Sequence, residues 1–400
     1  MKTTLIHALG LILALNLAGC STIGGWFGSG EPKIKPAELP NFQPSVGLTR
    51  LWEVNVGGGQ PYTFTPASDG QAIYAAGRDG RILKIDAATG RELGRIETGR
   101  RLSAGVGVGE GLVLVGTPRG EVLAYRAADG QPAWTAQLSG EILSPPQARG
   151  GLVAVSGNDG KVWGLDVADG KRRWVYSRAL PALALREPGG LTLGDRAVYA
   201  GFPGGRLVAL SLANGAPIWE SNVALPKGAT ELERIADVTG PLALSDRLVC
   251  AGAYQGRVAC FDRINGQGVW GRDLSVLRGV ALDARQLYAA DSADTVHAFD
   301  RERGVSPWKQ DKLRDRRLST PLPLERHVVV GDYQGQVHLL DSETGAFAAR
   351  VATDGSPILA PMQPTAQGFV VQTANGGVYA FQVTGYSVQG TDQVTAPKAR

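Results

Sequence analysis

Three cysteines (Cys20, Cys250, Cys260) and the histidines His297, His327 and His338 are the side chains of this chain most able to do chemistry, and their spacing tests what chemistry that is. The histidines are not spaced as a metal motif, and the cysteines form no zinc pattern. Val106-Gly107-Val108-Gly109-Glu110-Gly111 is rich in glycine but lacks the lysine and following helix of a phosphate-binding loop, so it reads as strand and turn. No serine sits in a nucleophile-elbow context. The residues therefore offer no catalytic, metal or cofactor site. What remains is the lone thiol of Cys20 and a thiol pair. Cys250 and Cys260 flank a predicted hairpin turn at 253–256 that would set them opposite each other; a disulfide and two buried thiols are both open.

The N-terminus reads as a targeting segment. Lys2 precedes a short apolar stretch, Leu5 to Leu17, which ends in Leu17-Ala18-Gly19-Cys20. That ending resembles the bacterial lipobox, which implies cleavage before Cys20 and lipidation of its thiol. A non-acidic residue after the cysteine, here Ser21, implies sorting to the outer membrane. The expected organisation is a signal peptide at 1–19, a lipidated cysteine and flexible Gly/Pro-rich tether at 20–48, a folded domain at 49–385 and a loose tail at 386–400.

The folded domain must be built from repeats. Gly-x-x-x-Trp recurs with Trp134, Trp174, Trp219, Trp270 and Trp308; two copies keep the glycine and end in Gly94 and Ala349, and Trp52 stands alone at the start. A period near forty residues marks a repeat architecture. Within the unit from Trp134 to Gly170, strands are expected at 134–138, 142–148, 152–156 and 162–166, with a tight turn at Asn158-Asp159-Gly160. Four short strands in each of eight units predict an all-β, eight-bladed propeller of four-stranded antiparallel blades. Prolines at 66, 145, 188, 241, 321 and 361 fall in the strand after the Trp position, which suits an edge strand facing a central channel. The last unit lacks a Trp strand, so Leu51-Trp52-Glu53-Val54 is expected to pair into it and close the ring.

The repeated Trp is expected to pack between neighbouring blades with its indole N–H on a turn carbonyl. The Asp that ends each unit (Asp86, Asp166, Asp262, Asp300, Asp341) is expected to cap the following turn. A net charge of +4 is mild for this length, and the cluster Arg314, Arg316, Arg317 reads as a solvated loop, so nucleic acid is not an expected partner.

Function is expected where the repeat breaks. From the Trp position to the next inner proline, Trp134 to Pro145 is a short connection, whereas Trp174 to Pro188 and Trp219 to Pro241 are extended. Equivalent connections of consecutive blades emerge side by side on one face. The first carries Leu183, Leu185 and Arg186; the second carries Asp237, and Thr230 with Glu233 has the pattern of a capping box. Leucines beside an arginine and ringed by acids suit a protein-contact core with a polar rim. The alternative places Leu183 and Leu185 inside, on the inner strand.

The Asp-x-x-x-Gly-x-x-x-Trp pattern resembles that of pyrroloquinoline-quinone-dependent dehydrogenases. Those enzymes are longer and carry adjacent cysteines and a calcium site, which this sequence lacks; a quinoprotein-like or other ligand-binding propeller is the second reading. The lipobox, the Gly/Pro tether, the Trp repeats and the segments Leu-Ala-Leu-Arg-Glu (183–187) and Glu-Leu-Glu-Arg-Ile-Ala-Asp-Val (231–238) together resemble the BamB family, propeller lipoproteins of the outer-membrane β-barrel assembly machinery. The resemblance implies a non-enzymatic scaffold without a cofactor, anchored to the outer membrane and facing the periplasm. It further implies that Leu183, Leu185, Arg186 and Asp237 contact the POTRA domains of BamA, in company with the other lipoproteins of that complex and with unfolded client proteins. An acid that the family usually has two residues after Asp237 is Thr239 here.

Overall fold

The computed structural model describes residues 35–385. Two compact units are separated between Pro36 and Ala37, and the fold is that of the unit beginning at Ala37. The signal peptide, Cys20 and the tail from 386 lie outside the described residues. Among the described residues no helix is long and apolar enough to cross a membrane.

Among the described residues thirty-two strands form eight four-stranded antiparallel sheets, the eight-bladed propeller expected from the repeat. In chain order the blades span 67–97, 104–137, 147–177, 191–222, 243–273, 280–310, 322–352, and 363–384 completed by Gly47–Asn55. Burial follows position in the blade. Second strands such as Ala72–Ala76, Leu112–Gly116 and Leu248–Gly252 are buried at every residue, because both faces are covered by neighbouring blades. Hence they read as continuous Val/Ala/Leu runs. Outermost strands such as Arg172–Ser177 and Pro217–Asn222 are mostly exposed and bury the Trp.

The N-terminal strand closes the ring as expected. Gly47–Asn55 lies antiparallel to Gly377–Thr384, with Trp52 opposite Ala380 and Asn55 opposite Gly377. The prolines differ slightly from expectation. They precede the innermost strands instead of sitting in them, and the predicted strand at 142–148 shrinks to Gln147–Arg149. Pro145 and Pro146 have no N–H to donate, so pairing begins only after them. Pro66, Pro145, Pro188, Pro241 and Pro361 line a central cavity of about 420 Å³.

Each Trp clamps its blade to the next. The indole N–H groups of Trp52, Trp134, Trp174, Trp219, Trp270 and Trp308 donate to the carbonyls of Ala87, Val167, Leu212, Arg263, Arg301 and Ser342 at 2.8–3.2 Å. Each ring lies under the turn glycine of that next blade. A Cβ on Gly304, which has φ +63°, would stand 2.4 Å from the Trp270 ring. Glycine is required there on both counts. Gly94 supplies no ring, and Ile96 packs under Gly130 instead. The repeated aspartates cap the same turns: the carboxylate of Asp86 accepts the Ala88 and Thr89 amides, and that of Asp341 the Glu343 and Thr344 amides.

One open alternative is settled and two expectations change. Cys250 and Cys260 stand directly opposite on paired strands, fully buried, and are joined as a disulfide. Arg316 is not solvated; it is buried and ion-paired to Asp332 at 2.7 Å, while Arg314 and Arg317 are exposed. The tether does not run to residue 48, because residues 37–46 are packed on the seventh blade. Arg316 donates to the Ala37 carbonyl, Arg350 to the Pro40 carbonyl, and Phe42 stacks on Phe347.

Candidate docking surface

The connectors 178–190 and 223–242 lead from the outer strands of the third and fourth blades to the inner strands of the next blades. They lie against each other along their C-terminal ends. Gly189 and Thr239 form an antiparallel bridge, and the Gly240 N–H donates to the Pro188 carbonyl at 2.9 Å. Val238 bridges to Ala253 in turn, so the second connector is tied to the hairpin that carries the disulfide.

Asp237 holds the two connectors in register. Its side chain is buried (the residue is 1% exposed), and one carboxylate oxygen accepts the Leu185 N–H at 2.7 Å while the other accepts the Gly204 N–H at 3.1 Å. Its own carbonyl accepts the Tyr254 N–H. Each oxygen of this buried carboxylate thus has a backbone N–H donor. Asp237 is thus an internal brace of the surface, and the expectation that it faces a partner does not match its burial. Thr239 is buried too, its hydroxyl donating to the Leu277 carbonyl at 2.6 Å.

Four leucines stand outward among charged side chains. Leu183 is 43% exposed, Leu180 38%, Leu225 57% and Leu232 66%. The inward alternative fails for Leu183, whereas Leu185 is half-buried and lines a small cavity of about 60 Å³ beneath the connector with Leu180. Leu232 is raised on a single turn closed by the expected capping box: the Glu233 carboxylate accepts the Ala229 and Thr230 amides, and the Glu233 N–H donates to the Thr230 hydroxyl.

Arg186 is exposed and already engaged. It donates twice to Glu141, at 2.6 and 3.0 Å, and its guanidinium lies 5.4 Å from the Tyr62 ring centre. The Tyr62 hydroxyl donates to the same carboxylate at 3.0 Å. Burial and then Glu141 raise the Tyr62 pKa, so this hydroxyl stays protonated. The bond to Glu141 raises the Arg186 pKa. The cluster fixes the guanidinium at the edge of the leucine surface, with one face on a ring and its fork filled.

The site therefore gathers Leu183, Leu185 and Arg186 on one surface, supported from below by Asp237. Glu141 and Tyr62 join them from distant connectors, and no local pattern in the sequence marks either. Leu180, Leu225 and Leu232 carried one signal, leucine in a connector, which says nothing of direction. The connection 311–321 also has two leucines, but Leu313 and Leu318 are buried. Among the described residues no group of three acidic, histidine or cysteine side chains could hold a metal ion.

A closed Trp-docked propeller with an apolar surface on one pair of connectors belongs to the class of binding scaffolds. Residues 49–310 match the family described as outer membrane protein assembly factor BamB. A BamB of Burkholderia pseudomallei is 43% identical over 349 residues, covering 87% of this chain and 91% of that protein. The crystal structure of BamB from Moraxella catarrhalis superposes with a TM-score of 0.77 at 26% identity, over 84% of this chain and all of that one. The chain belongs to the BamB family of outer membrane protein assembly factors. A quinohemoprotein alcohol dehydrogenase from Comamonas testosteroni shares the fold, with a TM-score of 0.68 at 14% identity over 91% of this chain and 81% of that one. That likeness concerns architecture alone, and the quinoprotein reading is not favoured.

Proposed function

We propose that this chain is a non-enzymatic scaffold of outer-membrane β-barrel assembly, held at the outer membrane by lipid on Cys20 and facing the periplasm. It docks through the leucines of connectors 178–190 and 223–242 on the POTRA domains of BamA. The observation that carries this reading is the placement of Leu180, Leu183, Leu225 and Leu232, all exposed, on two connectors pinned edge to edge. Removing a leucine side chain from water contributes about 1.5–3 kcal/mol, so a few suffice for a specific contact when a polar rim orients them. Arg186 supplies that rim with its guanidinium held in place by Glu141. Docking here would tie down the periplasmic arm of BamA and support transfer of unfolded barrel precursors to it.

The test is co-purification of BamA POTRA domains with Leu183→Asp, Leu232→Asp and Arg186→Glu variants, each checked for native fold by circular dichroism. Loss of BamA from folded variants supports the reading. Undiminished capture by all three rejects it. Labelling with a radioactive fatty acid, compared with Cys20→Ala, tests the anchor separately.

A further inference from the structure

Every clamped seam uses one device, a Trp on the outer strand of a blade docked on the hairpin turn of the next. The seam between the seventh and eighth blades cannot use it. The outer strand of the eighth blade is Gly47–Asn55, so the hairpin turn that would receive an indole is replaced by two separate stretches of chain, ending at Thr384 and beginning at Gly47. The Trp position of the seventh blade is correspondingly Ala349.

Residues 37–46 lie on the seventh blade beside this position. Val46 is buried in the cluster that contains Ala348, Ala349 and Phe381, and the Ser45 N–H donates to the Ala348 carbonyl at 2.9 Å. Phe42 stacks on Phe347 with ring centres 5.3 Å apart, and Arg350 covers both rings at 5.0 and 5.4 Å. Leu39 packs on the core of the sixth and seventh blades.

A charged network fastens the far end. Asp332 and His338 are fully buried, and Asp332 receives Arg316 at 2.7 Å and His338 Nε2 at 3.0 Å. His338 Nδ1 accepts from Arg350 at 3.2 Å, which places its proton on Nε2. The two arginines then donate outward to the strap, Arg316 to the Ala37 carbonyl at 2.9 Å and Arg350 to the Pro40 carbonyl at 3.2 Å. Buried guanidinium groups need such acceptors, so strap and network stabilise each other.

We propose that residues 37–46 are a clasp, a second closure of the ring that takes the place of the tryptophan missing at position 349. The closure itself does not depend on lipidation.

Hydrogen exchange on the chain from Cys20 onward, carrying Cys20→Ala, tests the closure without the anchor. The Ala37 and Ser45 amides are bonded to the Arg314 and Ala348 carbonyls and should be protected. Phe42→Ala, a half-buried site whose loss leaves the buried charges paired, should speed their exchange by about tenfold or more, with amides of the third blade unchanged. Arg350→Ala should act in the same direction. Free-chain exchange of these amides in the unsubstituted strap, or exchange unaltered by Phe42→Ala, would overturn the clasp, and neither outcome bears on lipidation or on docking.

Discussion

The carboxylate of Asp237 holds the amide of Leu185, fifty-two positions away in the chain, at 2.7 Å. One hydrogen bond thus couples the two longest connectors and, with the Gly189–Thr239 bridge, holds the two leucine-bearing segments side by side. Asp237→Ala leaves two part-buried amides without an acceptor. It is expected to cost about 1–3 kcal/mol in urea denaturation and to weaken docking without any partner contact being removed. A variant of unchanged stability with full binding would contradict the bracing role.

Leu232 separates binding from folding in the opposite sense. It is 66% exposed on a single turn, so Leu232→Ala should change stability by no more than about 0.5 kcal/mol. Partner affinity should fall roughly tenfold or more, as for an apolar anchor. Titration calorimetry against the POTRA domains, beside thermal melting, reads both.

The Trp clamps make an interior prediction. Gly304→Ala places a Cβ against the Trp270 ring in a backbone conformation that favours glycine. The strain of one such residue is on the order of 1–3 kcal/mol, and thermal melting should show it. Leu93, on the exposed outer strand of the first blade, is a control whose truncation should do little.

Stability should also depend on pH through His338. Burial holds its pKa below the ordinary value of 6.5, despite the opposing pull of Asp332. The folded state therefore binds the proton less readily than the unfolded chain. The contribution of the neutral ring is fully present above about pH 6.5 and is lost as pH falls below it, at no more than about 1.4 kcal/mol per pH unit for one proton. His327, also shifted down by burial, acts in the same direction. Asp332, shifted below its usual value despite burial by His338, adds a loss only at still lower pH. Denaturation midpoints at pH 7.5 and 5.5 should differ in the native chain and differ less in His338→Gln.

The disulfide closes a short loop, with the cysteines ten residues apart in sequence. Constraint of the unfolded chain by so short a loop is worth about 2–3 kcal/mol. A thiol assay on the denatured, unreduced protein should find neither Cys250 nor Cys260, and reduction should lower the denaturation midpoint.

The sequence by itself determined the ring. A forty-residue period of Gly-x-x-x-Trp, with a solitary Trp52 ahead of it, is a local pattern repeated, and local patterns survive in one dimension. The clamping role of the Trp, the turn capping by Asp86 and its equivalents, and closure by the N-terminal strand were legible for that reason. The capping box at Thr230 and Glu233 was legible too, because both partners fall within one turn. Tertiary structure alone decided direction and pairing. Connectors 178–190 and 311–321 both carry leucines among arginines, yet Leu183 faces water and Leu318 is buried. Asp237 and Arg316, charged and loop-borne, read as surface residues; each is buried because a partner from elsewhere satisfies it, Leu185 and Gly204 amides for the first, Asp332 and the Ala37 carbonyl for the second. Burial of a charge is set by what the fold brings to it, and that is written in no window of sequence.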